Sequence, residues 1–430
     1  MNYQNFYHKW GFRDNFLSHQ PLGPNEQGSS LISGRDDDLE KVIGRIKLGG
    51  PAVCIDGPVG SGKTSLANVA AYRAMMDFVK EPSSNPLVIP CEKTLQLDSK
   101  SNNEIQQEVL LNVAQTIIKN KPLFAEKFPA TASLNKWINT PFFQSIEAQA
   151  LGFGIGNGEA ANETTGFTES GLPKLITQLL ENIFPDKSSG GIVYIIDNIE
   201  LLESSKEALK RLEHLRDTLF NLHGIRWILC GAYGILPGLV QSPRLEGCLG
   251  STLRIKKIKL TESQSIFSKR IEYYKNRTRD QYYSPLDEED FHKLYMSLGG
   301  NLRTTLKTAS EYCTHLSEEK NFPTEKEAKK NKFNQWLKEY AESHKKDIER
   351  NITRRPIEVL FKAIKTFDGE FSQSDYEEFG FKSDAALRPH LRTLEEHGLI
   401  ASTRNEEDKR RLTINVTGRG WLLNWAAVVE

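Results

Sequence analysis

The chain has 430 residues, of which 38% are hydrophobic and 26% are charged, a balance typical of soluble globular proteins. That length suggests about two or three domains, each large enough for its own core. Lysine plus arginine (56) equals aspartate plus glutamate (56), so the chain as a whole is not a polycation built for nucleic acid.

The five cysteines are scattered, which excludes a disulfide framework and shows no zinc-ligand spacing. No stretch approaches the ~18 apolar residues of a membrane span. The first residues, MNYQNFYHKWGFRDNF, lack the apolar segment of a secretory signal. We therefore expect a cytoplasmic protein that does not associate with membranes.

Short apolar runs alternate with amphipathic segments through the first two thirds of the chain. The runs predict strands at 51–56, 87–91, 191–197 and 226–232, and the alternating residues 254–260 predict an edge strand. The amphipathic segments predict a helix that opens within 29–46 and further helices at 64–79, 103–120, 172–184 and 204–222. This alternation indicates the α/β class, a mostly parallel sheet with helices on both faces.

The periodic pattern is lost between about residues 122 and 172. Residues 152–171 are rich in Gly, Thr and Asn, which predicts a loop, hairpin or mobile insertion. They do not form a dinucleotide fingerprint, because Asn157 stands where Gly152 and Gly154 would require the third glycine.

A complete phosphate-loop motif, G-x-x-x-x-G-K-[ST], lies between a predicted strand and a predicted helix. Its glycines let successive backbone N–H groups point at phosphates, and the helix dipole adds to them. We expect Lys63 to reach the terminal phosphates and the Thr64 hydroxyl to bind Mg²⁺. The residues assigned to nucleotide binding by this motif are Gly57, Pro58, Val59, Gly60, Ser61, Gly62, Lys63, Thr64 and Ser65.

Such a site also needs a carboxylate at the end of a neighbouring strand to hold the hydrated metal. Asp197 follows an apolar run in GIVYIID and is assigned that role, although an Asp there could instead cap the next helix. A general base is less well defined, because Asn198 follows the Asp directly. Glu200 is the nearest acid, and an ordinary surface glutamate is the alternative, so hydrolysis is expected to be slow.

With these motifs, residues 30–313 resemble an AAA+ ATPase, most closely the replication-initiator and STAND-like branches. The resemblance rests on LISGR (31–35), the P-loop, IIDNIE (195–200) and GGNLR (299–303) in a helical lid. It implies that the adenine lies against Ile32 to Arg35 and that Arg303 touches the γ-phosphate. A planar cation there can report the presence or loss of that phosphate to the lid.

Two features depart from the AAA+ pattern. The strand RWILCGA should end in a polar sensor, but Cys230, Gly231, Ala232 and Tyr233 are not clear matches. The finger that acts on a neighbouring subunit fits Arg244 loosely, with Arg254 as the rival and a surface arginine as the alternative for each. A homo-oligomer with shared active sites is therefore left open.

Residues 261–313 are predicted to be helical only, followed by a charged helix and linker to 350. Residues 352–430 resemble a winged helix of bacterial regulator type, through LEEHGLI, the turn at 408–411 and Thr417 with Gly418. The predicted domains are thus an AAA+ α/β domain (1–260, with the insertion at about 122–172), a helical lid with a linker helix (261–350) and a winged helix (351–430).

The third helix of the winged segment is predicted to begin at Ser383, with Leu387, Leu391 and Leu394 as its buried stripe. Pro389 inside it predicts a kink. If the module binds DNA, this helix enters the major groove and the wing contacts phosphates. The residues assigned to such contacts are Arg388, His390, Arg392, Arg404, Lys409, Arg410 and Arg411.

The local charge points the other way. Residues 352–430 contain 12 Lys/Arg and 13 Asp/Glu, a net charge of −1, whereas a DNA-binding domain usually has a clustered basic face.

The interpretation is an ATP- and Mg²⁺-dependent switch whose winged helix contacts double-stranded DNA or recruits a partner. The alternative is a STAND-like scaffold ATPase whose winged helix docks a protein effector. A small-molecule phosphotransferase is a weaker rival, because it leaves the lid and the winged helix without a role.

Overall fold

A parallel sheet forms the centre of the first domain in the computed structural model, which describes residues 6–97, 100–125, 172–202, 205–232, 234–279, 281–319, 322–404 and 412–429. Its strands are β1 (Val53–Asp56), β2 (Leu87–Pro90), β3 (Leu95–Gln96), β4 (Gly190–Asp197), β5 (Ile225–Gly231) and β6 (Leu253–Arg254). The order is β2-β4-β5-β1-β6, with β3 also paired to β4, and every pair is parallel. The predicted strands are confirmed except for the last.

The predicted edge strand at 254–260 is shorter than expected. It pairs with β1 only through Leu253 and Arg254, and the amide of Ile255 makes one further bond to Asp56 O at 2.8 Å. Beyond that point the Lys256 carbonyl accepts from the Arg35 guanidinium at 2.6 Å. The chain therefore leaves the sheet edge toward the lid, and the lysines at 256–259 do not protect a strand.

Helices cover both faces of the sheet, as parallel strands require. The helices of this part of the chain are α1 (Phe6–Lys9), α2 (Glu26–Leu31), α3 (Asp36–Leu48), α4 (Lys63–Lys80), α5 (Asn102–Lys119), α6 (Lys121–Ala125), α7 (Leu172–Ile183), α8 (Ser205–Leu215), continued by a π-helical turn (Arg216–Phe220), and α9 (Ile235–Val240). One expectation is corrected: residues 29–46 form two helices, because α2 ends before Ile32 and Gly34 has a φ of +68°.

Successive residues of each strand face opposite sides of the sheet, so two hydrophobic clusters form. On β4, Tyr194 and Ile196 pack with α5, α7 and α8, whereas Val193 and Ile195 pack with α3 and α4. Continuous apolar runs in the sequence reflect this burial on both faces. The sheet is thereby fixed under the P-loop. The predicted insertion lies almost entirely outside the described residues.

Four helices form the lid that follows the sheet. They are α10 (Ser263–Tyr274), α11 (Glu288–Ser297), α12 (Leu302–Ser317) and α13 (Lys326–Asn351). The N-terminal aromatics Tyr7, Trp10, Phe12 and Phe16 belong to the buried cluster of this lid. The sequence pattern did not indicate that the first residues pack there, because a run of aromatics does not specify its partner.

The C-terminal residues form a winged helix with its own core. Its elements are α14 (Arg354–Phe367), β7 (Glu370–Ser372), a 3-10 turn (Gln373–Asp375), α15 (Asp384–Glu396), β8 (Ile400–Arg404), β9 (Leu412–Val416) and α16 (Gly418–Val429). The strands form an antiparallel sheet in the order β7-β9-β8. Residues 372–380, SQSDYEEFG, where a winged helix would have its second helix, contain only the 3-10 turn, and the closing helix α16 was not predicted.

The third helix agrees with its sequence signals. The Ser383 side chain accepts a hydrogen bond from the Ala386 amide at 3.3 Å, and Leu387, Leu391 and Leu394 are buried. The helix runs through Pro389 as a single element. All five cysteines are free thiols, as expected, and no helix among the described residues is long and apolar enough to cross a membrane.

Replacing Gly190, the first residue of β4, is expected to destabilise the sheet strongly. Its φ is +130°, and a Cβ there would lie 1.9 Å from Leu87 O in β2. We expect Gly190→Ala to lower the free energy of unfolding by on the order of 3 kcal/mol, measured by urea denaturation. The control is Gly44→Ala in α3, where a Cβ meets nothing within 4 Å. That variant should gain about 0.5–1 kcal/mol. Equal effects of the two changes would contradict the prediction.

Candidate functional site

The phosphate loop joins the end of β1 to the start of α4. Gly60 and Gly62 have φ angles of +79° and +88°, the left-handed region that glycine tolerates best. At these two glycines the loop backbone curves around a concavity, and the first turn of α4 follows directly. This is the anion-binding geometry that the motif predicts.

Lys63 is the buried cation of this loop. Its side chain is 6% exposed, and Nζ donates to Gly57 O at 3.0 Å and to Pro58 O at 3.1 Å. Both acceptors are uncharged carbonyls, which hold the ammonium within the loop without neutralising it. The side chain is therefore placed to meet an anion bound by the loop amides.

Thr64 and Asp197 meet beneath the loop. Thr64 Oγ1 donates to Asp197 Oδ2 at 2.7 Å, although the two residues come from α4 and from the end of β4. The other carboxylate oxygen, Asp197 Oδ1, is buried and has no hydrogen-bond partner among the described residues, and the same holds for Ser61 Oγ. Orphaned oxygens of a carboxylate and hydroxyls suit a hard divalent cation, so the residues present fit Mg²⁺.

Glu200 lines the same cleft but is already engaged. Its Oε2 accepts a hydrogen bond from the Ala232 amide at 2.9 Å, so the carboxylate is tied to the end of β5. Asp56 Oδ2 accepts from the Gly234 amide at 3.3 Å, and burial raises the pKa of Asp56 to about 6. Two carboxylates thus hold the loop in which the AAA+ pattern places a polar sensor.

The missing sensor has a physical explanation in this arrangement. Cys230 is fully buried on the α3–α4 side of the sheet, where burial raises its pKa, and it is not among the residues that line the cleft. Tyr233, the other polar candidate, lies outside the described residues. Glu200 is the polar group that reaches this position, and the sequence could not show this because Glu200 comes from a different strand end.

The residues assigned to the adenine lie at one wall of the cleft. Ile32 and Arg35 both line it. Arg35 is 6% exposed; it donates to Ser61 O at 2.8 Å and pairs with Asp38 at 3.0 Å. Its guanidinium is thus committed to holding the P-loop backbone, which is a supporting role in addition to any contact with a base.

Sequence reasoning missed a strap, residues 16–22, that crosses from the lid to the P-loop helix. On the lid side, the buried Arg270 donates to Phe16 O at 3.1 Å and Ser18 O at 3.0 Å. On the core side, the Leu22 amide donates to Ser65 Oγ at 3.0 Å, and Asn68 Nδ2 donates to Leu22 O at 2.9 Å. Burial lowers the pKa of Arg270 to about 10. Loop composition alone does not reveal such a position.

Arg303 faces the cleft from the first turn of α12. The helix is capped by Asn301, whose Oδ1 accepts from the Thr304 amide at 3.1 Å. The Arg303 side chain is exposed, and it forms no ion pair with any described residue. A guanidinium in this position can approach the phosphates held by the loop opposite.

The other predicted arginines lie elsewhere. Arg244 is 72% exposed, pairs with Glu213 at 3.1 Å and does not line the cleft of its own chain. Arg254 is the strand partner of Asp56 at the sheet edge. Neither position contradicts a finger that reaches a neighbouring subunit, so both remain predictions.

The cleft itself lies between the P-loop, the end of β4, the lid and the strap, with a cavity volume of about 100 Å³. It brings together most of the residues predicted to bind nucleotide, with apolar side chains on the lid and strap sides. The predicted residues that line it are Ile32, Arg35, Val59, Gly60, Ser61, Gly62, Lys63, Thr64, Ser65, Asp197, Glu200 and Arg303.

The exposed face of α15 is charge-balanced. Arg388 pairs with Asp384 at 3.2 Å, and Arg392 pairs with Glu396 at 2.8 Å, each one helical turn apart. The Arg392 side chain is 80% exposed. Of the predicted wing contacts, Lys409, Arg410 and Arg411 lie outside the described residues, and only the backbone of Arg404, at the end of β8, is described.

No family model matches the chain, and no curated protein matches it. It is similar to the solved ORC2 protein of Aeropyrum pernix (ADPNP-ADP complexes), at 12% identity over 97% of this chain and 98% of that chain, with a TM-score of 0.47. It is also similar to ORC1 of the same organism in complex with DNA, at 13% identity over 97% of each chain, with a TM-score of 0.46. The similarity to Cdc6p of Pyrobaculum aerophilum is 12% identity over 97% of each chain, with a TM-score of 0.41.

At these identities and TM-scores, function is inferred from the residues of the cleft alone. A parallel sheet with a P-loop, a helical lid and a winged helix follow one another along the chain.

Proposed function

We propose that this chain is an ATP-binding and ATP-hydrolysing molecular switch that transmits its nucleotide state to the winged helix. The observation that carries the proposal is the meeting of Lys63, the Thr64–Asp197 pair and Arg303 around one cleft. These residues come from the P-loop, from the end of β4 and from the lid. Each has the chemistry that triphosphate binding needs at its place.

The binding step is carried by the loop. Its amides and the Lys63 ammonium hold the phosphates, and the apolar wall of the lid and strap excludes water from the base. Thr64 and Asp197 would hold Mg²⁺, which when bound neutralises phosphate charge. Arg303, on the lid, contacts the terminal phosphate and so ties lid position to its presence.

Hydrolysis needs a group that orients the attacking water, and Glu200 is the acid in the cleft placed for it. Its Oε2 accepts from the Ala232 amide, which orients the carboxylate, and Oε1 is the oxygen that would accept the proton of the water. We expect the hydrolysis that resets the switch to be slow, because Asn198 and not an acid follows Asp197 directly. Orthophosphate release from Mg-ATP by the purified chain tests the activity, and Glu200→Gln should slow it.

The winged helix is the part of the switch that would contact its target, which is either DNA or a partner protein. Stimulation of phosphate release by duplex DNA would support the first. A specific observation supports protein docking as the second candidate, because both exposed arginines of α15 already have carboxylate partners. Dependence on a small phosphate acceptor would instead indicate the phosphotransferase rival.

Removing those carboxylate partners is expected to raise DNA affinity if α15 contacts DNA. In Asp384→Asn/Glu396→Gln, Arg388 and Arg392 lose their competing partners. We expect duplex binding by the full chain to tighten several-fold at low salt, since exposed ion pairs are individually weak. Fluorescence anisotropy with a salt titration measures this, and the log–log salt slope should become steeper.

The matched control for this charge change is Asp37→Asn/Glu40→Gln on α3, where both side chains are exposed and far along the chain from the winged helix. It makes the same change in net charge and should tighten binding less. Binding that is absent at low salt in wild type and in both variants would reject DNA as the target. A flat salt response would do so as well.

A further inference from the structure

The winged helix rests directly on the lid loop that leads to Arg303. Gly299 lies against the indole of Trp421, the fourth residue of α16, so closely that a Cβ at Gly299 would be 2.3 Å from Trp421 Cδ1. Gly299 has a φ of +63°. The indole is also packed against Gly369 in the turn after α14, where a Cβ would meet Cζ2 at 3.0 Å. Trp421 therefore fills the space between the winged helix and the lid loop.

A second contact lies beside the first. Gly418, at the start of α16, lies against Thr304, so that a Cβ at Gly418 would be 3.0 Å from Thr304 Cγ2. Thr304 is the chain neighbour of Arg303. The winged helix thus contacts Gly299, in the loop that leads to Arg303, and Thr304, the residue after Arg303.

The core domain joins the same junction through Lys257. Its Nζ donates to Gly299 O at 3.2 Å and lies 5.7 Å from the centre of the Trp421 ring, within reach of a cation–π interaction. The next residue, Ile258, lines the nucleotide cleft, and its carbonyl accepts from Tyr295 of the lid at 3.0 Å. Core, lid and winged helix therefore meet at Trp421.

The other end of the lid loop reaches the phosphate loop. A Cβ at Gly60, in the P-loop, would lie 2.8 Å from Asn301 Oδ1. The same Asn301 caps α12, the helix that carries Arg303. Residues 299–304 are thus held on one side by the winged helix and on the other by the P-loop.

We propose that Trp421 is a positioning residue of the nucleotide site: by filling the space against Gly299, the winged helix fixes residues 299–303 so that Arg303 faces the terminal phosphate. This inference rests on the proposed function and adds a residue outside the AAA+ domain to the site. Because binding linkage is reciprocal, a terminal phosphate that engages Arg303 also strengthens docking of the winged helix on the lid.

The test is discrimination between ATP and ADP, since Arg303 contacts only the terminal phosphate. Dissociation constants of the full chain for fluorescent ATP and ADP analogues are measured with Mg²⁺. We expect Trp421→Ala to weaken ATP binding roughly fivefold to tenfold, at the lower end of typical coupling, with ADP binding changed less than twofold. Trp421→Phe keeps an aromatic ring against Gly299 and should restore most of the discrimination.

Trp425→Ala is the matched control, because Trp425 lies one turn further along α16 and contacts the lid at Lys293, whose Nζ is 5.9 Å from the centre of its ring. It should leave the ratio of ATP to ADP affinity unchanged. The proposal is overturned if Trp421→Ala keeps the wild-type ratio, or if it weakens both nucleotides equally, as general destabilisation would. If wild type binds neither nucleotide, the proposed function itself fails.

Discussion

Lys63→Ala is expected to abolish binding of Mg-ATP at concentrations that saturate the wild type. Lys63 is the buried ammonium of the P-loop, held by the carbonyls of Gly57 and Pro58. Removal of one partner from a buried, hydrogen-bonded charge pair costs about 2–5 kcal/mol, or roughly a thirtyfold to several-thousandfold loss of affinity. Isothermal titration calorimetry measures the loss directly.

Lys80→Ala is the control for the change in charge, because Lys80 is the exposed last residue of the same helix, α4. It should bind Mg-ATP as wild type does. If Lys63→Ala kept wild-type affinity while remaining folded by circular dichroism, the P-loop would not be a phosphate site. All proposed outputs share this step, so the variant tests their common premise and does not choose among DNA, protein and small acceptor.

The sheet and the P-loop were predictable because their signals are local. Apolar runs that are buried on both faces predict parallel strands, and the motif at 57–64 fixes its own loop between β1 and α4. The Ser383 cap and the leucine stripe of α15 are also local, which is why they were predicted correctly. In each case the determining residues lie within a few positions of one another.

The unpredicted features depend on contacts between distant parts of the chain. Arg270 and Phe16 are 254 positions apart, and the strap they hold has no periodicity that would indicate its place. Trp421 and Gly299 are likewise brought together only by the docking of the winged helix on the lid. The shortened edge strand has the same cause, because Arg35 captures the Lys256 carbonyl from outside the sheet.

The pairing of Thr64 with Asp197 depends both on local sequence motifs and on a contact between distant parts of the chain. Each residue was assigned from its own motif, and the structure places Thr64 Oγ1 2.7 Å from Asp197 Oδ2. The roles of these residues in metal binding remain predictions. What the structure adds is that Asp197 Oδ1 is buried and has no hydrogen-bond partner among the described residues, which neither motif could indicate.

Asp197→Asn is therefore expected to remove the magnesium dependence of the switch while leaving the fold intact. The amide keeps the size of the carboxylate but lacks its charge, and its single carbonyl oxygen is a much weaker ligand for a hard cation than a carboxylate. Phosphate release should fall by roughly a hundredfold to a thousandfold, the loss expected when a preorganised charge at the reacting centre is removed. A malachite-green assay over a range of Mg²⁺ concentrations measures it.

The readout that separates a metal role from a structural one is binding, not rate. In wild type the affinity for ATP should increase as Mg²⁺ is added, whereas in Asp197→Asn it should be nearly constant, and binding of metal-free ATP should be kept or strengthened because one negative charge is gone. Asp217→Asn, on the exposed π-helical turn after α8, makes the same charge change and should behave as wild type. An unchanged Mg²⁺ response in Asp197→Asn would show that the end of β4 does not hold the metal, and Thr64 would then need another acidic partner.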